Sequence, residues 1–120
     1  MRPAQAIREV MAGWERLDPR PVAELFADQG TYDDPLKDGR LVGPTAILEA
    51  NAKAMHDLLS CRIDLGHVVE TDQVALAEGQ FHAELRAGGT LAFSFAVVLE
   101  VGDGKVTRLA EYFDTRPLLA

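Results

Sequence analysis

The sequence predicts an α+β domain in which helices come first and an antiparallel sheet follows. Apolar residues recur at helical spacing through most of the chain before Cys61, and from Cys61 onward they alternate with other residues at a period of two. Short connectors rich in glycine and aspartate separate the later segments, as is typical of tight turns between antiparallel strands. Helices that are segregated from the strands in this way pack against an antiparallel sheet.

Three helices and one short strand are predicted before Cys61. The first helix begins at Pro3 and ends at Asp18-Pro19, with Trp14 on its apolar face. A short helix over residues 21–27 follows, and then a strand over residues 30–35 that Pro35 ends. A loop leads from this strand to the longest helix, which is predicted over residues 44–60.

Four long strands are predicted from Cys61 onward, over residues 61–70, 73–87, 90–101 and 105–115. Tight turns at Thr71-Asp72, Gly88-Gly89 and residues 102–104 join them, so consecutive strands should pair as a meander. No repeat or linker interrupts this order. Residues 1–120 are therefore predicted to form a single domain.

The composition excludes several classes of function. A net charge of −7 leaves no basic patch for nucleic acid. Cys61 is the single cysteine, so no internal disulfide can form and a reducing compartment is expected. The N-terminal segment lacks the apolar core of a signal peptide, and no apolar stretch is long enough to span a membrane. We therefore expect a cytoplasmic protein that binds neither nucleic acid nor membranes.

Neither a metal nor a cofactor is expected. His56, His67 and His82 lack the spacing of ligands to one metal, and no cysteine or acidic cluster completes such a site. The glycines at residues 102–104 belong to a hairpin turn and not to a phosphate-binding loop.

Three stretches resemble the NTF2-like superfamily, and within it ketosteroid isomerase and the SnoaL-like polyketide cyclases. They are MAGWERLD, ELFADQGTYDDPLKDGRLVGPTAILE and GDGKVTRLAEYFDT. The resemblance implies a cone in which a strongly bent sheet wraps the long helix around a deep apolar cavity. Because this scaffold hosts isomerases, cyclases, dehydratases and non-catalytic binding modules, it does not decide the function.

Asp34 is the first candidate for a catalytic residue. Successive side chains of a strand point to opposite faces, so Asp33 and Asp34 cannot both face inward. The resemblance matches Asp34 to the general-base aspartate of ketosteroid isomerase and leaves Asp33 facing solvent. The alternative is that Asp34 only makes the turn before Pro35, which is common for aspartate.

The oxyanion hole of the isomerase is not expected here. The resemblance matches its tyrosine to Trp14, which offers one indole N–H, and its protonated aspartic acid to Ala96, which offers no donor. Steroid isomerase activity is therefore not expected. Trp14 on the cavity wall could still stack against a flat ligand, although an apolar helix face also explains it as a core residue.

The last strand offers replacement groups. Leu109, Glu111 and Phe113 share one face, and the resemblance makes this face a cavity wall, which would bring Glu111 inside. The catalytic acid of the cyclases is left open among Glu111, Asp114 and Asp34.

Four further residues are candidate ligand contacts, each with a simpler alternative. Tyr32 is explained equally well by burial in the core, and His56 by half-exposure on its helix. Gln80 and His82 either line the mouth of the cavity or belong to the polar outer face of their strand.

The strand over residues 90–101 is apolar on both faces, which indicates that both faces are covered. The resemblance places the small residues, Ala96 among them, against the cavity. Phe93 and Phe95 would then lie outside and need a partner, so a homodimer through the outer sheet face is predicted.

The sequence is compatible with two functions. One is a cofactor-free acid/base isomerase, cyclase or dehydratase acting on a hydrophobic carbonyl compound such as a polyketide. The other is a binding module that keeps the cavity without chemistry.

Overall fold

The computed structural model describes residues 1–36 and 39–119. In chain order the elements are α1 (Pro3–Glu15), α2 (Pro19–Glu24), β1 (Phe26–Asp33), β2 (Leu41–Val42), α3 (Pro44–His56), β3 (Leu58–Glu70), β4 (Val74–Leu85), β5 (Thr90–Gly102), β6 (Lys105–Phe113) and α4 (Arg116–Leu119). The predicted α+β class is confirmed. None of the helices in these residues combines the length and the apolar character needed to cross a membrane.

The strands of the described chain form one sheet in the order β2-β1-β6-β5-β4-β3. The last four strands pair antiparallel with their sequence neighbours, which confirms the predicted meander. Between β4 and β5, Gly88 takes a φ of 102°, a left-handed conformation that glycine adopts without a steric penalty. Strand β1 joins the far edge parallel to β6 and places Tyr32 beside Leu109.

Two predicted helix ends were wrong, because strand pairing starts earlier than the helical pattern indicates. Helix α2 ends at Glu24, and Phe26 belongs to β1, where it pairs with Val106 and packs on the Tyr32 ring. Helix α3 ends at His56, and Leu58 already pairs with Leu85. The loop before α3 contains β2, and α4 was not predicted; Lys37 and Asp38 of that loop lie outside the described residues.

The inner face of β5 is the opposite of the one expected. Phe95, Val97 and Leu99 are buried towards the helices, whereas Ala92, Ser94 and Ala96 are exposed on the outside. The large side chains are needed to fill the space between the bent sheet and the helices, so the small ones face out. The expectation that Phe93 and Phe95 need a covering subunit was therefore wrong.

The solid core occupies one end of the molecule. It is built from the first half of α1, the first half of α3 and the second half of β5, with Ile7, Val10, Ile47, Val97, Leu99 and Leu109 at most 1% exposed. The other halves of these elements line an open space, so the same three elements position the candidate site.

Candidate active site

A cavity of about 800 Å³ lies at the end of the molecule opposite the solid core. Its walls come from the last turn of α1, the second half of α3 and the starting half of β5, with the ends of β1 and β6. Most of the lining is apolar, and the larger side chains include Met11, Ile63, Leu85, Leu91 and Phe95. A volume in this range accepts a small organic molecule.

Aromatic rings cover one side of this cavity. Phe93 stacks between Phe81 and Phe113 with ring centroids 4.8 Å apart on each side, and Trp14 meets Phe81 edge-on at 6.2 Å. All four side chains line the cavity. Because Phe93 lies between two other rings, it offers its edge to the cavity, and an aromatic ligand can meet such an edge with its face.

Tyr32 and Glu111 form the central polar contact of the cavity. The Tyr32 hydroxyl donates a hydrogen bond of 2.6 Å to Glu111 Oε1. Tyr32 is 1% exposed, and its burial, followed by the charges of Glu111 and Asp34, raises its pKa well above the ordinary value. The phenol therefore stays protonated at neutral pH and acts as a hydrogen-bond donor.

Trp14 carries an unsatisfied donor at the same place. Its indole Nε1 is enclosed, and no acceptor in residues 1–36 and 39–119 forms a hydrogen bond with it. The N–H lies close enough to the Tyr32 hydroxyl to lower the pKa of Tyr32 slightly, against the larger effects that raise it. Leaving such a donor buried without a partner costs about 1–3 kcal/mol. Because Nε1 has essentially no accessible surface, a ligand oxygen reaches it only if the neighbouring side chains move.

Asp34 follows directly after β1 and lines the cavity. Because its charge contributes to the raised pKa of Tyr32, the carboxylate lies near the phenol. Asp34 Oδ1 also accepts a hydrogen bond of 2.8 Å from the Leu36 backbone N–H, so the turn interpretation holds for this oxygen. Asp33 lies on the other face, where Arg40 binds it at 2.9 Å.

Five candidate residues do not line the cavity. Gln80, His82 and Ala96 are on the outer face, because Phe81 and Phe95 point inward and strand side chains alternate. Gln80 donates to Ser94 at 2.8 Å, and His82 contacts Asp64 at 3.5 Å. The assignment of these three to the cavity was therefore wrong, and for Gln80 and His82 the alternative, the polar outer face of the strand, is the observed position.

The remaining two, Asp114 and Leu109, do not line the cavity either. Asp114 binds the Arg116 guanidinium at 2.6 Å and accepts the Arg116 backbone N–H at the start of α4, so it is held away from the cavity. Leu109 is fully buried in the solid core. Phe113 and His56 do line the cavity as expected, and His56 sits at the exposed end of α3.

Asn51 is a cavity residue that the sequence reasoning missed. It is 4% exposed and lies on α3 between Ile47 and Met55 at four-residue spacing, on the buried stripe. Its Nδ2 donates to the Ile47 carbonyl at 2.9 Å. The signal was present in the sequence, since an amide interrupts an otherwise apolar helical face.

The other reactive side chains of the described residues do not form a second active site. Burial, followed by the nearby Glu15, raises the pKa of the Cys61 thiol to about 11, so it is not a nucleophile at neutral pH. In the described part of the chain, no group of three or more histidine, cysteine, aspartate or glutamate side chains is arranged to hold a metal ion.

Solved structures share this fold across nearly the whole chain. A hypothetical protein from Catenulispora acidiphila with a ketosteroid isomerase-like fold, in complex with trimethylamine, superposes with a TM-score of 0.86 at 17% identity, covering 98% of this chain and 91% of that chain. TerC, co-crystallised with polyporic acid, gives 0.81 at 21% identity, with 97% and 94% covered. An NTF2-like protein of unknown function from Burkholderia pseudomallei gives 0.84 at 16% identity, with 97% and 93% covered.

At these identities the structural matches show the fold, which is NTF2-like. No curated protein is significantly similar to the chain in sequence. The family model of the SnoaL-like domain matches residues 7–109. The chain therefore belongs to the SnoaL-like domain family.

Proposed function

We propose that the protein binds a flat, hydrophobic carbonyl compound in its cavity and transfers a proton on it without a cofactor. The reaction class is isomerisation, cyclisation or dehydration. The observation that carries this proposal is the group of polar side chains inside an apolar cavity: Asp34, the Tyr32–Glu111 hydrogen bond of 2.6 Å, and the enclosed Trp14 N–H.

Asp34 acts as the base in this proposal. Its carboxylate removes a proton from the carbon next to the carbonyl, the C–H electron pair forms the C=C bond of an enolate, and the negative charge moves to the carbonyl oxygen. The proton then returns to carbon in an isomerisation, or leaves with a departing hydroxide in a dehydration. A positioned base of this kind contributes about a hundredfold to ten-thousandfold to the rate.

The Trp14 indole is the contact proposed for the carbonyl oxygen. Its N–H is enclosed beside the Tyr32 hydroxyl, and a ligand that displaces the neighbouring side chains would meet it as the charge develops. Tyr32 keeps its proton and, through its hydrogen bond, holds the Glu111 side chain in one orientation. Glu111, whose Oε1 accepts this hydrogen bond, is the second candidate acid/base residue.

Relatives with the same fold support a small-molecule ligand. One was crystallised with trimethylamine and another with polyporic acid. The carbonyl class for this chain comes from its own side chains, since a buried N–H donor next to acids suits an oxygen acceptor that becomes negative.

Exchange of carbon-bound hydrogen tests the proposal without knowledge of the natural substrate. The probe is 1-tetralone in D2O, whose protons next to the carbonyl are followed by proton NMR. We expect the protein to accelerate their replacement by deuterium, and Asp34→Asn to remove about a hundredfold or more of that acceleration. Equal rates for the native protein and Asp34→Asn contradict the proposal.

A binding module without chemistry is the second candidate. The observation in its favour is that Asp34 already makes the turn to Leu36, which accounts for this aspartate structurally. In that case 1-tetralone binds in the cavity, and its exchange rate is the same with and without protein.

We also propose a homodimer through the outer face of the sheet. The register places Leu76 beside Val98, and Ala96 between Glu78 and Tyr112, so these side chains share the outer face. Leu76 is 49% exposed and Tyr112 is 55% exposed. This face combines small and apolar side chains with the polar Glu78 and Gln80, and such a mixed surface can pack against its own copy around a twofold axis.

A further inference from the structure

We propose that Asn51 is a specificity-determining residue that accepts a hydrogen bond from a hydroxyl or N–H group of the ligand. The substrate class is thereby narrowed to hydroxylated, planar carbonyl compounds. This inference rests on the proposed function, because it concerns a second polar contact for the same ligand.

The geometry of the Asn51 amide sets the direction of its oxygen. Nδ2 donates to the Ile47 carbonyl at 2.9 Å, and a carbonyl can only accept, so the nitrogen is the atom that points back to the helix. The amide oxygen is on the other side of the planar group. No donor in the described ranges forms a hydrogen bond with it.

The amide oxygen borders the cavity. Within the described part of the chain, Trp14 Nε1 is the enclosed side-chain atom without a partner, so Asn51 Oδ1 is not enclosed in the same way. Asn51 as a whole is 4% exposed, and it lines the cavity. The small accessible part of this side chain therefore faces the cavity, where a ligand would bind.

An amide at this position is unfavourable for folding alone. Ile47 and Met55 flank it on the buried stripe, where leucine would continue the apolar surface and has the higher helix propensity. A polar residue that lowers the stability of the fold at the wall of a cavity is typical of a functional site.

The two polar contacts have opposite character. Trp14 on α1 offers a donor and Asn51 on α3 offers an acceptor, while the aromatic side of the cavity between the strands is apolar. A ligand that pairs with Asn51 carries a hydroxyl or N–H group in addition to the carbonyl oxygen of the proposed function. Sites built to pair a ligand hydroxyl discriminate strongly against the analogue that lacks it.

Calorimetric titration with matched ketones tests this inference. The probes are 1-tetralone, which has no donor, and its 5-, 6- and 7-hydroxy derivatives, which carry a phenol at different distances from the carbonyl. The variants are Asn51→Leu and, as a control on the same stripe of α3, Met55→Leu. Thermal unfolding of each variant shows that it is folded.

We expect at least one hydroxy derivative to bind the native protein about tenfold more tightly than 1-tetralone. In Asn51→Leu this preference should fall below about threefold, with the unfolding temperature equal or higher. Met55→Leu should keep the preference.

Two results overturn the inference while leaving the proposed function intact. One is that no hydroxy derivative binds more tightly than 1-tetralone, and the other is that the preference survives in Asn51→Leu. If neither 1-tetralone nor any derivative binds the native protein, the small-molecule proposal itself is contradicted, and the inference fails with it.

Discussion

At the scale of single residues, the Tyr32–Glu111 contact decides the chemistry of the cavity. A phenol that is 1% exposed and 2.6 Å from a carboxylate cannot ionise without placing a second negative charge beside the first. Tyr32 is thus kept as a donor, and the proton-accepting role falls to a carboxylate. Burial of Tyr32 was one of the interpretations of the sequence, but its pairing with Glu111 was not predicted, since 79 positions separate the two residues.

This contact predicts how stability depends on pH above pH 10. Folding raises the pKa of Tyr32, whereas a tyrosine in the unfolded chain ionises at about pH 10. The stabilisation is fully present below that pH and is lost as the pH rises, because only the unfolded chain releases the proton. The loss is about 1.4 kcal/mol for each pH unit above 10.

Urea unfolding of the native protein and Tyr32→Phe, between pH 9 and 11.5, measures this effect. Tyr112 is present in both proteins, so the difference between their unfolding free energies isolates Tyr32. We expect that difference to shrink steadily above pH 10. A difference that stays constant over this range would show that Tyr32 ionises equally in both states.

At the scale of elements, the sequence predicted the type of each long segment better than its ends or its inner face. Alternation and turn residues gave the β3–β6 meander, because these are local properties. Which face of β5 points inward is set by how much volume the bent sheet and helices must fill, and an alternating pattern that is apolar on both faces carries no such information. For this reason Ala96 was placed on the wrong side.

The close packing of Phe95 against β4 requires glycine at position 79. A Cβ on Gly79 would come within 2.8 Å of both the Asp64 carbonyl and the Phe95 ring. We expect Gly79→Ala to lower the unfolding free energy by about 1–3 kcal/mol through overpacking. The matched control is Gly66→Ala on β3, where the nearest atom would be 3.4 Å away. A similar loss for both variants in urea unfolding would contradict the close packing described for Gly79.

At the scale of the whole molecule, the resemblance to a known family predicted more than the residues alone. It brought Asp34, Glu111, Trp14 and Phe113 to the cavity, and the structure places all four there. The resemblance did not identify Asn51 as a cavity residue, because the matching stretches do not include the middle of α3. The amide on an otherwise apolar face of α3 was the sequence signal that would have identified it.

The proposed homodimer is tested by light scattering coupled to size-exclusion chromatography at micromolar concentration. We expect a mass of twice the 13.1 kDa of the chain. Leu76→Glu puts a charge into the outer patch and should give the monomer mass. Leu36 is also 49% exposed but lies at the cavity, so Leu36→Glu should remain dimeric. A monomer for the native protein removes the proposal.

The central claim is that a carboxylate inside the cavity moves a proton on a carbonyl compound, and two neighbouring aspartates allow the most direct test of it. Asp34 lines the cavity, whereas Asp33 points to the other face and pairs with Arg40. The measurement is the rate of deuterium uptake by 1-tetralone with Asp34→Asn and with Asp33→Asn. We expect Asp33→Asn to take up deuterium near the native rate and Asp34→Asn to show a rate about a hundredfold lower. Two variants that exchange at the same rate would contradict it.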